Sequence, residues 1–358
     1  MSEPTPLADF HRANGAVFSE SSPLPVHFGD PAREYAAARD AAGLIDRADR
    51  GLLQFTGPDR LPFLQGMLSN DLRVLKPFDG QYAAILTQQG KVIADVRVLC
   101  AMNSFYLDFW ANLKDKILAH LNRYLVADEV EIADRSNEYT FVSVRGPRAG
   151  ALIRAVMPDA NLPAQTRQHA MITIDGAAVC IVREDPGDPV YDLILPRASA
   201  VPIAQGLTDS GRSLSASWIG TAAQEVLRVE VGMPLYGVDF GEDNLLLEVG
   251  LADAVSFTKG CYLGQEIVER VRSRGHVNKK LCGLLLDGVV AAKPGDRLHS
   301  SGKEAGQVTS SVVSPRLGHP VALGYVVKEF WEPGTVLTLE RDAGIRAKVT
   351  QPPFTASS

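Results

Sequence analysis

The stretch GQYAAILTQQGKVIADVRVLC, residues 80–100, decides the fold. It holds two runs rich in strand-forming residues, joined by the short polar turn QQG at 88–90. A third run, SFYLDFW at 104–110, follows almost at once. Three neighbouring strands with such short connections predict an antiparallel meander.

The second run of this stretch carries a charged residue on an apolar face. Alternation along KVIADVRVLC places Asp95 on the same face as Ile93 and Leu99, together with Arg97. An aspartate in that setting can line a pocket, where it accepts N–H groups of a heterocycle or takes a proton. A structural pair between Asp95 and Arg97 is the alternative that the sequence leaves open.

Outward from this meander, helices alternate with adjacent strands. DPAREYAAARDAAG at 30–43 predicts a helix with an aspartate N-cap, proline at its first position and Gly43 as its stop. ANLKDKILAHLNRYLV at 111–126 predicts another helix with one apolar stripe. A second round of helices and strands begins at Gly146. The pattern favours an α+β fold with two related units, residues 1–145 and 146–277.

Residues 278–358 have a different sequence pattern from the rest of the chain. Short strand-forming runs are separated there by glycine and proline turns, as in GDRLHSSG, EAGQVTSSVVS and VALGYVVKE. This pattern predicts a C-terminal all-β domain, either a small barrel or a sandwich.

Composition restricts the class of protein. The chain has 358 residues, 46% of them hydrophobic, and a formal net charge of -6. That charge argues against strong direct binding of nucleic acid. No apolar run approaches membrane-spanning length, and the first residues resemble neither a signal peptide nor a transit peptide. We therefore expect a cytoplasmic protein without a membrane partner.

The four cysteines are Cys100, Cys180, Cys261 and Cys282. Their wide spacing does not suit a zinc module, so we expect no metal site built by this chain alone. Cys100 and Cys180 have apolar flanks typical of buried thiols. Cys261 lies in the polar, glycine-flanked run KGCYLGQE and is therefore different.

KGCYLGQE, residues 259–266, comes just before a predicted helix, GQEIVERVRSRG. A helix N-terminus favours a nearby thiolate by about 0.3–1 kcal/mol, and Lys259 adds a positive neighbour on the same side of an extended segment. Cys261 is thus a candidate catalytic or ligating thiol. A cysteine buried in a tight turn explains the same residues, and both interpretations stay open.

Two further patterns point to an anionic, flat ligand. Basic residues cluster around the thiol in an otherwise acidic chain, which indicates an anionic partner or only a solvated helix face. They are Lys259, Arg270, Arg272, Arg274, Lys279 and Lys280.

Acids, a tyrosine and glycine turns occur together in two other runs, VREDPGDPVYDLILP and LRVEVGMPLYGVDF. This combination suits an aromatic ligand with polar edges, or only turn formation.

KGCYLGQE followed by RGHVNKKLCGL resembles the signature of YgfZ-type folate-binding proteins, which support iron–sulfur cluster assembly. These proteins are relatives of the glycine cleavage T protein, a tetrahydrofolate-dependent aminomethyltransferase. The resemblance extends over nearly the whole chain, including LRVEVGMPLYGVDF and GQVTSSVVSPRLGHPVALGYV. It implies a ring of domains around a folate pocket, with a C-terminal β-barrel.

The resemblance also implies site residues. Asp95 would contact the folate and assist catalysis, with Tyr82 as a neighbour of the pterin. Asp188 would stand for the glutamate that grips the pterin, and Tyr191 for the aromatic residue beside it. Arg228 matches the arginine of the LRxExG run. Lys259 completes the cofactor-binding candidates, and Asp95 and Cys261 are the catalytic ones.

Three departures from the aminomethyltransferase pattern argue against one-carbon transfer, while the folate pocket is expected to be retained. Ala94 stands where they carry a second acid, Asp188 is one methylene shorter than glutamate, and Cys261 replaces a bulky residue. The sequence thus predicts a folate-binding protein that assists assembly or repair of [4Fe–4S] clusters through Cys261, with transient Fe–S contact there. Its partners would be folate and either assembly proteins or client [4Fe–4S] enzymes.

The sequence leaves two other functions open. The first is a tetrahydrofolate-dependent aminomethyltransferase or demethylase, with Asp95 as its acid or base. The second is a folate-dependent regulator of tRNA modification that uses the basic cluster.

Overall fold

The computed structural model describes residues 5–20, 22–184, 189–274, 277–341 and 344–354. The chain divides into two compact units. The first unit comprises residues 1–83 and 95–224, and the second comprises residues 84–94 and 225–358. The tip of the hairpin quoted above therefore belongs to the second unit, while its base belongs to the first.

The elements follow in chain order. Up to residue 145 they are α1 (Ala8–Ala13), β1 (Val17–Phe18), β2 (Pro25–His27), α2 (Pro31–Asp40), β3 (Ala42–Asp46), β4 (Arg50–Thr56), α3 (Arg60–Met67), β5 (Gly80–Leu86), β6 (Val92–Cys100), β7 (Phe105–Trp110), α4 (Lys114–Asn122), β8 (Glu131–Asp134) and β9 (Tyr139–Arg145). Then come α5 (Ala149–Val156), β10 (His169–Ile174), β11 (Ala177–Arg183), β12 (Val190–Pro196), α6 (Arg197–Gly211), β13 (Ala216–Trp218), α7 (Thr221–Val231), α8 (Leu246–Val249) and α9 (Gln265–Arg274). The last strands are β14 (Lys279–Leu286), β15 (Arg297–Ser300), β16 (Lys303–Ser314), β17 (His319–Val327), β18 (Val336–Leu339) and β19 (Arg346–Thr350).

Two larger sheets lie upstream of the last six strands. One has the strand order β5-β6-β7-β4-β8, so the predicted meander forms three neighbouring strands. The other has the order β10-β11-β12-β9-β3-β13, in which β13 runs parallel to β3. Leu52 and Leu99 from the first sheet form one apolar cluster with Phe141, Val182 and Ile194 from the second. The base of β6 therefore faces the second sheet across a buried layer.

The helix predicted at 30–43 forms, but it ends before Gly43. Asp30 Oδ1 accepts a hydrogen bond from Ala32 N at 2.9 Å, and Pro31 occupies the first helical position. Gly43 lies instead in β3, and a Cβ there would come within 2.0 Å of Ile219 Cδ1. The expectation that Gly43 stops the helix was wrong, because α2 already ends at Asp40 and Gly43 belongs to β3. The absence of a side chain at Gly43 leaves room for Ile219.

The helix predicted at 111–126 is shorter than expected. It begins at Lys114 and ends at Asn122, with Ile117 and Leu121 fully buried. The amides of Tyr124 and Leu125 both donate to the Leu121 carbonyl, at 3.0 and 3.1 Å. Since two donors share one acceptor, the regular i to i−4 pattern stops there.

The C-terminal strands close into a barrel of order β14-β17-β16-β15-β18-β19. Fully buried side chains such as Leu284, Leu298, Leu337 and Leu339 form its apolar centre. The predicted α+β fold with a C-terminal barrel is therefore confirmed, and the sandwich alternative is excluded. The division of the chain at 145/146 and 277/278 stays a prediction.

Candidate functional site

Asp95 lies near the middle of β6, a strand whose nine residues are all buried. Only 7% of Asp95 is exposed. Because water is nearly excluded, a carboxylate there is costly unless other groups stabilise its charge. The partners of Asp95 therefore define what it can do.

Tyr82 on β5 is the first of those partners. Its hydroxyl donates a hydrogen bond to Asp95 Oδ2 at 2.9 Å. The other oxygen, Oδ1, is buried and makes no hydrogen bond of good geometry within the described part of the chain; the indole N–H of Trp110, which also lacks a partner there, lies close enough to lower the pKa of Asp95. An unsatisfied buried acceptor is costly, so Oδ1 is suited to accept an N–H group from a bound molecule.

The environment alters the protonation of both groups. Burial raises the pKa of Asp95 above its ordinary range, although the charge of Arg50 and the Tyr82 hydrogen bond partly offset this effect. Burial, reinforced by the neighbouring Asp95 carboxylate, raises the pKa of Tyr82 well above its usual value. Tyr82 therefore stays a hydrogen-bond donor, while Asp95 can exchange a proton closer to neutral pH.

Arg50, which sequence reasoning missed, is held beside this pair. Its Nε donates to Asp108 Oδ1 at 2.6 Å, and its guanidinium lies 4.7 Å from the ring centre of Trp110. These two contacts fix a positive charge near Asp95. No local sequence pattern could have identified Arg50, because its partners come from β7, more than fifty residues away.

Arg97, two residues after Asp95, lies at the centre of a buried ionic cluster. It forms ion pairs with Asp108, Glu184 and Asp192, and its Nη1 lies 2.7 Å from Asp192 Oδ2. Asp192 also accepts a hydrogen bond from Ser143. Burial opposes ionisation of Asp192, yet Arg97 and Arg47 lower its pKa. The alternative of a direct Arg97–Asp95 pair is not seen among the described residues, because Arg97 pairs with carboxylates on β7, on β12 and at the residue that follows β11.

The structure places Tyr191 among apolar residues. Its side chain is 5% exposed and belongs to the hydrophobic core on one side of the six-stranded sheet. The Tyr191 hydroxyl accepts a hydrogen bond from Arg183 Nη1 at 3.1 Å. Asp188 lies outside the described residues. Cofactor-binding roles for Tyr191 and Asp188 stay predictions.

Arg228 has a complete set of acceptors in the second unit. Its Nε donates to Glu225 Oε2 at 2.9 Å, and its Nη2 donates to Glu225 Oε1 at 2.5 Å. Nη1 donates to Met233 O and Asp239 Oδ2, both at 2.6 Å, and Nη2 also donates to Ser310 Oγ at 2.7 Å. An arginine has five N–H donors, and all five are used here. This arrangement indicates that Arg228 joins α7 to the barrel strand β16.

Cys261 and Lys259 lie in different surroundings. Cys261 is exposed, whereas Lys259 is 7% exposed and its Nζ lies 5.0 Å from the ring centre of Tyr262. The helix α9 begins at Gln265, four residues after the thiol. Gly264 has φ +85°, and a Cβ there would lie 2.6 Å from Thr87 O, whereas a Cβ at Gly260 would meet no atom within 4 Å. Gly264 is therefore required by the backbone.

The basic residues near the thiol mostly lie over aromatic rings. The guanidinium of Arg272 is 4.2 Å from the Phe257 ring centre. Lys279 lies 4.8 Å from that of Tyr325, and Lys280 lies 4.7 Å from that of Trp331. Arg270 pairs with Glu266 at 3.7 Å. The side chain of Arg274 and residues 275 and 276 lie outside the described residues.

The described residues thus offer a buried acid–base group and, separately, an exposed thiol. In this part of the chain, no group of three or more His, Cys, Asp or Glu side chains is arranged to hold a metal ion. None of the described helices is long and apolar enough to span a membrane. The Asp95–Tyr82 pair suits recognition of a ligand N–H and transfer of a proton.

Two family models match the chain and together cover most of it. The GCVT N-terminal domain matches residues 7–259, and the glycine cleavage T-protein C-terminal barrel domain matches residues 279–355. The second match coincides with the six-stranded barrel.

Curated relatives match over nearly their full length. An aminomethyltransferase from Rubrobacter xylanophilus is 32% identical over 355 residues, covering 98% of this chain and 93% of the relative. Another from Bacillus subtilis is 30% identical and covers 99% of both proteins. The crystal structure of the glycine cleavage system aminomethyltransferase T from Bartonella henselae superimposes with a TM-score of 0.90 over 99% of this chain, at 24% identity.

Proposed function

The chain belongs to the glycine cleavage T-protein family, and on this premise we propose that it binds tetrahydrofolate at Asp95 and Tyr82 and acts as a folate-dependent aminomethyltransferase. One observation carries this proposal: the buried Asp95 Oδ1 makes no hydrogen bond of good geometry among the described residues. Curated relatives named aminomethyltransferase support the reaction class.

The residues present suit a reduced pterin. A pterin ring carries N–H donors along one edge, and Asp95 Oδ1 is a buried acceptor of the matching kind. Tetrahydrofolate, when bound, supplies the nitrogen atoms that carry a one-carbon unit. Asp95 binds and orients an N–H group, and its raised pKa allows it to give or take a proton. Tyr82 keeps the carboxylate oriented through its hydrogen bond to Oδ2.

The proposal is tested in a reconstituted glycine cleavage system that lacks its own aminomethyltransferase. The purified protein is added, and formation of methylene-tetrahydrofolate is measured. Asp95→Asn should lower the rate by about 10²–10⁴-fold, the usual contribution of a general acid or base. Cys180→Ala is the matched control, because burial raises the pKa of the Cys180 thiol to about 12 and keeps it unreactive. Absence of product with the wild-type protein would refute the transferase activity.

A second function is favoured by the exposure of Cys261. A folate-binding protein that assists [4Fe–4S] cluster assembly or repair needs an accessible thiol, since the thiolate is the form that binds iron. In a strain lacking this protein, Cys261→Ser would then fail to restore client [4Fe–4S] enzyme activity at matched expression. Cys180→Ala would restore it. Full rescue by Cys261→Ser would exclude this function.

A further inference from the structure

Arg167 has a backbone conformation that arginine rarely adopts. Its φ is +65°, in the left-handed region where few residues other than glycine are found. Strained backbone of this kind persists only where surrounding contacts impose it, and it is concentrated at functional sites. Contacts with Arg183 on one side and Gly80 on the other impose this conformation on Arg167.

The backbone at Arg167 is held between the end of β11 and the start of β5. Arg167 N donates to Arg183 O at 2.5 Å, and Arg183 N donates back to Gln168 O at 3.0 Å. On the other side, the first residue of β5 is Gly80, where a Cβ would lie 2.3 Å from Arg167 O. The absence of a side chain at Gly80 is therefore what allows this approach.

Arg167, held in this way, places its side chain over the Tyr82 ring. The guanidinium carbon lies 5.5 Å from the centre of the Tyr82 ring, within the range of a cation–π contact. Tyr82 is the residue that donates to Asp95 Oδ2. The strained backbone and the close approach to Gly80 thus fix the position of Arg167, and its guanidinium contacts the ring whose hydroxyl orients Asp95.

We propose that Arg167 is a positioning residue of the Asp95 site, which holds the Tyr82 ring so that its hydroxyl stays on Oδ2 and Oδ1 is presented to the ligand. The identity of that ligand rests on the proposed function. The orientation of Tyr82 does not depend on it, so the two can be tested separately.

The test uses variants that keep the backbone. Asparagine tolerates positive φ, so Arg167→Asn removes the guanidinium without adding strain, and Arg167→Lys keeps a cation. Arg12→Asn is a matched control, because the Arg12 guanidinium lies 5.1 Å from the Phe18 ring centre in a contact distant in sequence from the site. Equal melting temperatures would establish that the variants are folded.

The first measurement needs no ligand. In protein labelled with ¹³C at the tyrosine ζ carbon, the Tyr82 signal is assigned by its loss in Tyr82→Phe. We expect Arg167→Asn to shift or broaden this signal, Arg167→Lys to restore it largely, and Arg12→Asn to leave it unchanged. An unchanged Tyr82 signal in Arg167→Asn would overturn the proposal, whether or not folate binds.

The second measurement is a double-mutant cycle on tetrahydrofolate affinity. A cation–π contact of ordinary strength predicts that Arg167→Asn weakens binding by about two- to five-fold. In a Tyr82→Phe background the hydroxyl is already absent, so the further loss should be close to none. An equal loss in both backgrounds would show that Arg167 acts independently of the hydroxyl and would overturn the proposal. Failure of the wild-type protein to bind would refute the proposed function alone, and the tyrosine signal would still decide the role of Arg167.

Discussion

At the scale of single residues, Asp95 could be singled out from the sequence, while its partners could not. Strand alternation placed an acid on an apolar face, and the structure shows that acid buried. Tyr82 entered through family resemblance. Arg50 and Arg167 were missed because their contacts with this site depend on tertiary packing rather than on sequence spacing.

The raised pKa of Asp95 has a consequence for stability. Above the ordinary aspartate pKa of about 4, the unfolded chain has lost a proton that the folded chain retains, so stability falls as pH rises through the raised pKa. Asp95→Asn removes the buried charge. Its melting temperature should exceed that of the wild type at about pH 8, and the difference should shrink towards pH 4. Asp159→Asn, at an exposed carboxylate, is the control, and a pH-independent difference would contradict this account.

A second residue-scale prediction concerns the thiols. Cys261 is exposed, whereas Cys100 and Cys282 are buried and Cys180 is intermediate. A thiol reagent should therefore label one cysteine quickly in the native protein and all four after unfolding. The fast reaction should be absent in Cys261→Ser. Rapid labelling of that variant would show that the accessible thiol lies elsewhere.

At the scale of elements, the strands were predicted more reliably than the helix ends. The meander and the barrel strands follow from alternation and turn residues, which are local signals. The place of Gly43 in β3 depends on its approach to Ile219, a contact that no local pattern contains. The buried cluster around Arg97 depends in the same way on β6, β7 and β12 coming together.

The Arg97 cluster predicts a large and specific effect on stability. Arg97→Leu would leave the carboxylates of Asp108, Glu184 and Asp192 without their shared cation. Removal of one partner from a buried ion pair costs about 3–5 kcal/mol, so the free energy of unfolding in urea should fall by that order. Arg212→Leu disrupts an exposed pair with Asp209 and should cost about 0–1 kcal/mol. Equal effects of the two variants would show that the cluster does not stabilise the fold.

At the scale of the whole molecule, the sequence predicted the fold class and the superfamily. The branch within that superfamily stays a prediction. Arg228 was singled out through family resemblance, and in the structure all five of its donors are used within the protein, one of them on Ser310 of the barrel. Curated relatives named aminomethyltransferase match the chain over nearly their full length, and the assignment of the KGCYLGQE run to the YgfZ type stays a prediction.

The most direct test of the central claim is equilibrium binding of tetrahydrofolate to the wild-type protein and to Asp95→Asn, measured by anaerobic calorimetry. Asparagine keeps the volume of the side chain and loses its charge and one acceptor oxygen. The account predicts that the wild type binds and that Asp95→Asn binds at least about ten-fold more weakly, which corresponds to about 1.4 kcal/mol. No binding by the wild type, or equal affinity of the two proteins, would contradict a folate site at Asp95.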